Sequence, residues 1–491
     1  MKTTQKLTLK TLAFVFIGLL IFSACKEKKE NTENLESTES KVTAVYSEAL
    51  ETETCTCESD WFPHNQTPAP EEGVGSPFDV SSTTNCIFHQ WSWQKFLWLT
   101  KPESNGNPLF LNELIQVDSH MIPVSEQSGA TIVLEDTAQA GPGAILNTNP
   151  NFNIDSNTSE TVHYAIFIDS TLQKAANDYK EELINGSLAE NNFETFPVGS
   201  LEVKSAWVNI SAIPSSEVNN FYTTTAAILQ SDNSYKNTEV ALLGIHVVGV
   251  VINHPEFIWA TFEHNDVAPI YDWTSGTVSS DTEKLLFGKG SASNIDGIIW
   301  DSTNKKPTTP DQAFTLFQYG IPRNTDNSFM STSQSEPVNN DNIVALNTCV
   351  ASSLTAESDV WANYFYNGSQ WIDTDGKTPT EQAQLLVTLA DTISTATPGA
   401  YLRGSTNLAN IVMETFTQTF EKSSSDINVN NLASCFSCHN AENFTGDNPK
   451  SPLYISHIFN GFIATNNGAT KEDVKTMKLN EFVEKFVKKK K

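Results

Sequence analysis

The rhythm of apolar and polar positions changes several times along this chain. Residues 11–22, TLAFVFIGLLIF, form a nearly unbroken apolar run, too short to span a bilayer comfortably. Residues 26–58 are charged and Ser/Thr-rich with almost no apolar clusters, the pattern of a disordered tether. In CIFHQWSWQKFLWLTKP, residues 86–102, Phe88, Trp91, Phe96 and Leu99 fall at helical spacing, as do Trp93 and Leu97. The spacing predicts a buried helix that stops before Pro102, with His89 as a core or edge residue. From about 110 to 375 the texture is one of strands and long loops. TIVLE, VHYAIFID, LEVKSAWVNI and EVALLGIHVVGVVI are rich in β-branched and aromatic residues, and clusters of Asn, Asp, Ser, Gly and Pro separate them. The run 240–252 is too continuous for a half-exposed strand and predicts a central one, buried on both faces. No internal repeat recurs at a fixed period.

After Gly376 the period becomes helical. Thr378 as N-cap, Pro379 in the first turn and Glu381 three residues on make a capping box. Leu385, Leu386, Leu389 and Ile393 continue it as one apolar stripe. Leu408, Ile411, Val412, Phe416 and Phe420 make a second, and a third helix is expected between 472 and 487, with lysines complementing its dipole. The expected organisation is a signal peptide over 1–24, a tether over 25–58, a β-rich domain with an aromatic N-terminal helix over 59–375 and a helical domain over 376–491. The fold class is α+β.

Charge sharpens the reading of the leader. Lys2, Lys6 and Lys10 precede the apolar run, and FSAC, residues 22–25, closes it. Small residues before a cysteine resemble a bacterial lipobox, in which Cys25 would receive diacylglycerol and become the new N-terminus. Phe22 stands where that pattern usually has Leu. The alternative is an ordinary signal peptide cut near Ala24; either way the protein leaves the cytoplasm. KEKKE, directly after Cys25, resembles the tether of surface lipoproteins, so the periplasmic side and the cell surface both stay open. The formal net charge is −28, which argues against a nucleic-acid partner and would suit a basic protein partner, besides keeping the chain soluble.

Cysteine use suits an oxidising compartment. A bridge between Cys55 and Cys57 would be strained, so one or both are expected to reach Cys86 or Cys349. A metal site at Cys55 and Cys57 is the rival, and no paired His or Cys lies nearby at ligand spacing.

The remaining cysteines carry the sharpest signal. NLASCFSCHN, residues 431–440, spaces Cys435, Cys438 and His439 as Cys-x-x-Cys-His. Two thiols on one helical turn can reach the two vinyl groups of a porphyrin, and the adjacent imidazole can bind its iron. A redox disulfide would want a strand before the first cysteine, and NVNNLAS is no strand. A zinc site would need further ligands, and no second Cys-x-x-Cys exists. Candidates for the second axial position are Met477, His457 and His246. Met477 lies in a helical pattern, His457 is close in sequence, and His246 sits mid-strand beside Gly244, where the missing side chain leaves room for a close neighbour such as the haem.

The segment NHPEFIWATFEHNDVAP, residues 253–269, adds His254, Glu256, Glu263 and His264. As a strand it puts Trp259, Thr261 and Glu263 on one face and Ala260, Phe262 and His264 on the other, so Glu263 and His264 do not converge on one metal. They are structural polar groups at the rim of a sheet or, with His246 and His254, catalytic or haem-proximal groups. EVKSAW, LLGIHVVG, IWATFEHNDVAP, the terminal CFSCH and SWQKFLWLTKP together resemble exported bacterial proteins of a cytochrome c family. The resemblance implies a haem c protein with a large partner domain. The family pattern has Asp-Asn-Val-Pro where this chain has NDVAP.

These readings predict a membrane-anchored mono-haem c-type cytochrome lipoprotein, a β-rich domain followed by a mostly α-helical cytochrome-c-like segment, passing electrons to a redox partner protein. The alternative is a haem-dependent oxidoreductase, peroxidase- or oxygenase-like, with a pocket for a small-molecule substrate in the β-rich domain. A third reading is a binding or adhesion lipoprotein in which the haem is incidental. A haem carrier needs only about a hundred residues, so the β-rich part has work of its own.

Overall fold

The computed structural model describes residues 55–137, 146–269, 281–289, 337–390, 401–404, 435–443 and 448–466, with 271–272, 277–278, 300–301, 306–307, 410, 412–413, 468–470, 473 and 476–477. The leader, Cys25, Ile393 and most of the expected helices over 408–420 and 472–487 lie outside the described residues. Glu51–Lys491 cluster as one unit.

A nine-stranded sheet organises the described residues. Its strands are β1 (Ile115–Val117), β2 (Ile132–Leu134), β3 (His163–Ile168), β4 (Leu201–Asn209), β5 (Thr223–Leu229), β6 (Tyr235–Val251), β7 (His254–His264), β8 (Tyr364–Ile372) and β9 (Leu402–Gly404). The order is β1-β3-β4-β6-β7-β8-β9; β5 pairs with β6, and β2 runs parallel to β5 in an otherwise antiparallel sheet. With helices on both faces of this sheet the fold is α+β.

The unbroken apolar run is the centre of that sheet, as its composition predicts. Gly244 lies opposite both Ala206 of β4 and Glu263 of β7, so β6 is paired on both edges. Between Val240 and Val251 every residue of β6 is buried except His246.

One face, here the first, is closed by α1 (Asn85–Thr100) and α4 (Pro337–Ala356), with the short α2 (Leu109–Glu113) beside them. Helix α1 buries residues around most of its circumference, which a helix does when it is covered on both sides. It ends just before Pro102, as expected. Phe96 stacks on Phe262 of β7 with ring centroids 4.1 Å apart, and Phe88 stacks on Trp371 of β8 at 3.9 Å. His89 is a core residue, its Nδ1 2.7 Å from the Tyr366 hydroxyl. Disulfides Cys55–Cys86 and Cys57–Cys349 fasten the N-terminal strap to α1 and α4, with Cα atoms 5.5 and 5.9 Å apart. Both cysteines of the Cys-x-Cys pair thus find the distant partners that the strain argument required.

The second face is covered by α3 (Ser170–Asn185), α5 (Pro379–Leu389), α6 (Cys435–Cys438) and α7 (His457–Asn466), which pack with Val248, Val250, Phe257 and Trp259. The capping box of α5 forms as predicted. Helices α3 and α4 occupy stretches expected to be strands and loops. The signal for α3 was present: Asp169 caps it through Thr171 N and Leu172 N, and Gly186 ends it with a positive φ of 77°. Strand β9 is a further departure, for it falls in a stretch expected to be helical and pairs with β8 from Gln370 to Ile372. No described helix is long and apolar enough to cross a membrane.

Candidate functional site

Alternation along the strands puts a polar patch in the middle of the second face. Lys204 of β4, His246 of β6 and Thr261 of β7 form one cross-strand row. Glu202, Val248, Trp259 and Gln370 form the next. Lys204 and His246 are half-buried in a layer whose other members are mostly sealed.

The Cys-x-x-Cys-His segment is docked on this patch. Gln370 of β8 accepts a hydrogen bond from Cys435 N at 2.8 Å, holding the first turn of α6 to the sheet. His439 N donates to Cys435 O at 2.8 Å, so the helical turn continues through the histidine. Cys435 and His439, four residues apart, therefore share one side of that turn. Phe436 is buried in the second-face core and meets Trp259 edge-on at 6.2 Å.

His439 has a defined tautomer. Its Nδ1 lies 3.1 Å from Ile455 O, and a carbonyl can only accept, so Nδ1 carries the proton and Nε2 the lone pair. The ring packs between His457, stacked at 3.9 Å and 23°, and Trp259 at 4.1 Å and 43°. Loss of hydration in that sandwich, then the neighbouring His457 and the Lys204 ammonium, hold its pKa well below the usual imidazole range. The ring is accordingly neutral, as a metal-ligating imidazole must be.

The other predicted residues separate. His457 opens α7 and stacks broadside on His439. Met477 is helical, as its pattern predicted, and half-buried. His246 is on the same sheet face as the docked segment. The room beside Gly244 is taken by protein: a Cβ there would come 2.6 Å from Val412 Cγ2. Val412 is tied down through its carbonyl, which accepts from the Tyr164 hydroxyl at 2.7 Å. The close neighbour that the glycine admits is thus Val412.

Glu263 and His264 point to opposite faces, as alternation requires. Glu263 is buried on the second face, 3.4 Å from Val412 N. His264 stacks on Phe221 at 3.6 Å; Nε2 donates to Asn220 O at 2.9 Å and Nδ1 accepts from Asp266 N at 3.0 Å. Both ring nitrogens are committed to backbone, and burial lowers its pKa to about 4, so His264 is a neutral structural residue rather than a proton donor. His254 is buried against Phe78 and Phe88, with Nδ1 3.0 Å from Glu256 Oε1 and 3.1 Å from Thr374 Oγ1. This pair belongs to the packed corner between β7 and α1, away from the polar patch.

Three residues of the site went unnoticed in the sequence, Gln370, Lys204 and Ile455, while Trp259 was placed only as a face-mate of Thr261 and Glu263. A cue existed for Lys204. Glu202 and Lys204 stand two apart within an apolar strand pattern, which places two charges on one buried face. Comparison with models of known protein families, with curated proteins and with solved structures found no match.

Proposed function

We propose that this chain is an exported, lipid-anchored mono-haem c-type cytochrome that carries electrons. Its helical C-terminal segment would hold the haem against the second face of the sheet. Cys435 and Cys438 would form the thioethers and His439 Nε2 would bind the iron; Cys25 would carry the lipid. The single observation that carries this reading is the hydrogen bond from His439 Nδ1 to Ile455 O. It fixes the tautomer, orients the ring and leaves the Nε2 lone pair for the metal, which is how a backbone carbonyl behind the ring prepares a ligating imidazole. The neutral ring and the half-buried Lys204 and His246 beside it fit a prosthetic group in this position. A bound haem c supplies a one-electron couple. The chain's own residues do the rest: Gln370 holds the Cys435 turn, Ile455 orients the imidazole, and Trp259 and Phe436 exclude water.

A second reading, chemistry at the iron, is favoured by His246, the one residue of β6 between Val240 and Val251 that is not fully buried. Maturation of the full chain in an exporting host with haem-attachment machinery, followed by intact mass and reduced absorption spectra, tests both. Added porphyrin mass with spectra indifferent to carbon monoxide supports the carrier. Carbon monoxide binding supports the oxidoreductase. No added porphyrin mass overturns both.

A further inference from the structure

An ion pair is embedded in the second face beside His439. Lys204 Nζ lies 3.3 Å from Glu202 Oε1, and the two side chains are only 14% and 4% exposed. The other Glu202 oxygen is 3.4 Å from Ser456 Oγ, next to the His457 that stacks on His439. Taking two charges out of water is costly, and apolar residues would fill the same space at no loss of stability. A fixed charge in a poorly hydrated layer also acts on its neighbours more strongly than one in water. Glu202 also stands in the cross-strand row of Val248 and Trp259, and the Trp259 ring lies 4.1 Å from that of His439, so the pair sits beside the docked segment.

We propose that Lys204 tunes the electron affinity of the redox centre held by His439, raising its reduction potential, while Glu202 opposes it. The proposal rests on the haem reading above. The oxidised iron carries one more positive charge than the reduced iron. A cation embedded nearby disfavours the oxidised form, and an anion favours it. Lys204 is a positioning charge, not a ligand: its cross-strand neighbour is His246 and its ion-pair partner is Glu202.

The test is a spectroelectrochemical titration of the matured full chain at constant pH, in which ferric iron takes one electron from the electrode through mediators. Lys204→Gln is expected to lower the equilibrium constant for reduction about tenfold, about 59 mV for a one-electron couple, and Lys204→Arg to leave it near the parent value. Glu202→Gln is expected to shift it the other way. Because the pair is embedded, the shifts should persist in high salt. Parent-like potentials in both Lys204→Gln and Glu202→Gln, with intact haem spectra, overturn the inference and leave the haem reading standing. A parent protein without covalent haem removes the premise itself. Should Lys204→Gln fail to fold, the opposite shift in Glu202→Gln, or its absence, decides.

Discussion

The two faces of the central sheet are built from the same strands and do different work. On the first, Phe88, Trp93, Phe96, Phe262 and Trp371 interlock in stacked and edge-on pairs. On the second, β4, β6, β7 and β8 present Glu202, Lys204, His246, Thr261, Glu263 and Gln370 toward a short segment that carries Cys435 and His439. Because successive residues of a strand point opposite ways, one stretch of chain packs an aromatic core with one set of side chains and presents polar groups with the other.

The sharpest break to attempt is Phe96→Ala. Removing this fully buried ring should cost about 3–5 kcal/mol, read as a lower denaturation midpoint, with the absorption of the proposed haem unaltered in the folded protein. A spectral change as large as the stability change would show that the faces are not separable.

His264 tests the first face through pH. Burial depresses its folded pKa to about 4, below the ordinary 6.5, so the folded state holds it neutral. Its contribution is complete above pH 6.5 and declines as the pH falls toward 4, by about 3 kcal/mol in all. Protonation would set an N–H against the Asp266 N–H. Unfolding measured from pH 7 to pH 4 should show this loss in the parent, and His264→Gln should flatten it.

Two glycines of β6 compare the faces directly. A Cβ on Gly249 would meet the Trp91 ring at 2.8 Å, and one on Gly244 would meet Val412 Cγ2 at 2.6 Å and Phe262 O at 3.0 Å. Alanine at either should cost about 1–3 kcal/mol by overpacking. Gly244→Ala should also alter the spectrum of the proposed haem, by displacing Val412 beside the polar patch, while Gly249→Ala should not. The smallest effect is expected for Thr378→Ala, which deletes the N-cap of α5 for about 1 kcal/mol of thermal or denaturant stability and leaves the spectrum alone.

Much of this was open to reading along the chain because its causes are local. Period-2 alternation separated Glu263 from His264, continuous apolarity placed β6 at the centre, and the Thr378–Glu381 box marked the start of α5. The strain of a Cys55–Cys57 bridge pointed to Cys86 and Cys349 as partners. Helix α4 went unread although Ile343, Leu346, Val350 and Leu354 recur at helical spacing and are buried beside α1 and β8. Strand β9 escaped because three residues carry almost no pattern.

The sequence alone determined which residues could do chemistry: Cys435, Cys438 and His439 are spaced by one helical turn, and the geometry of a turn is a property of the local backbone. Only the tertiary structure decided what surrounds them. The tautomer of His439 depends on Ile455 O, its neutrality on burial first and then on His457 and Lys204, and the seat of its turn on Gln370. Those partners lie from 16 to 235 positions away along the chain, and no local rule of spacing links residues brought together by packing across a sheet.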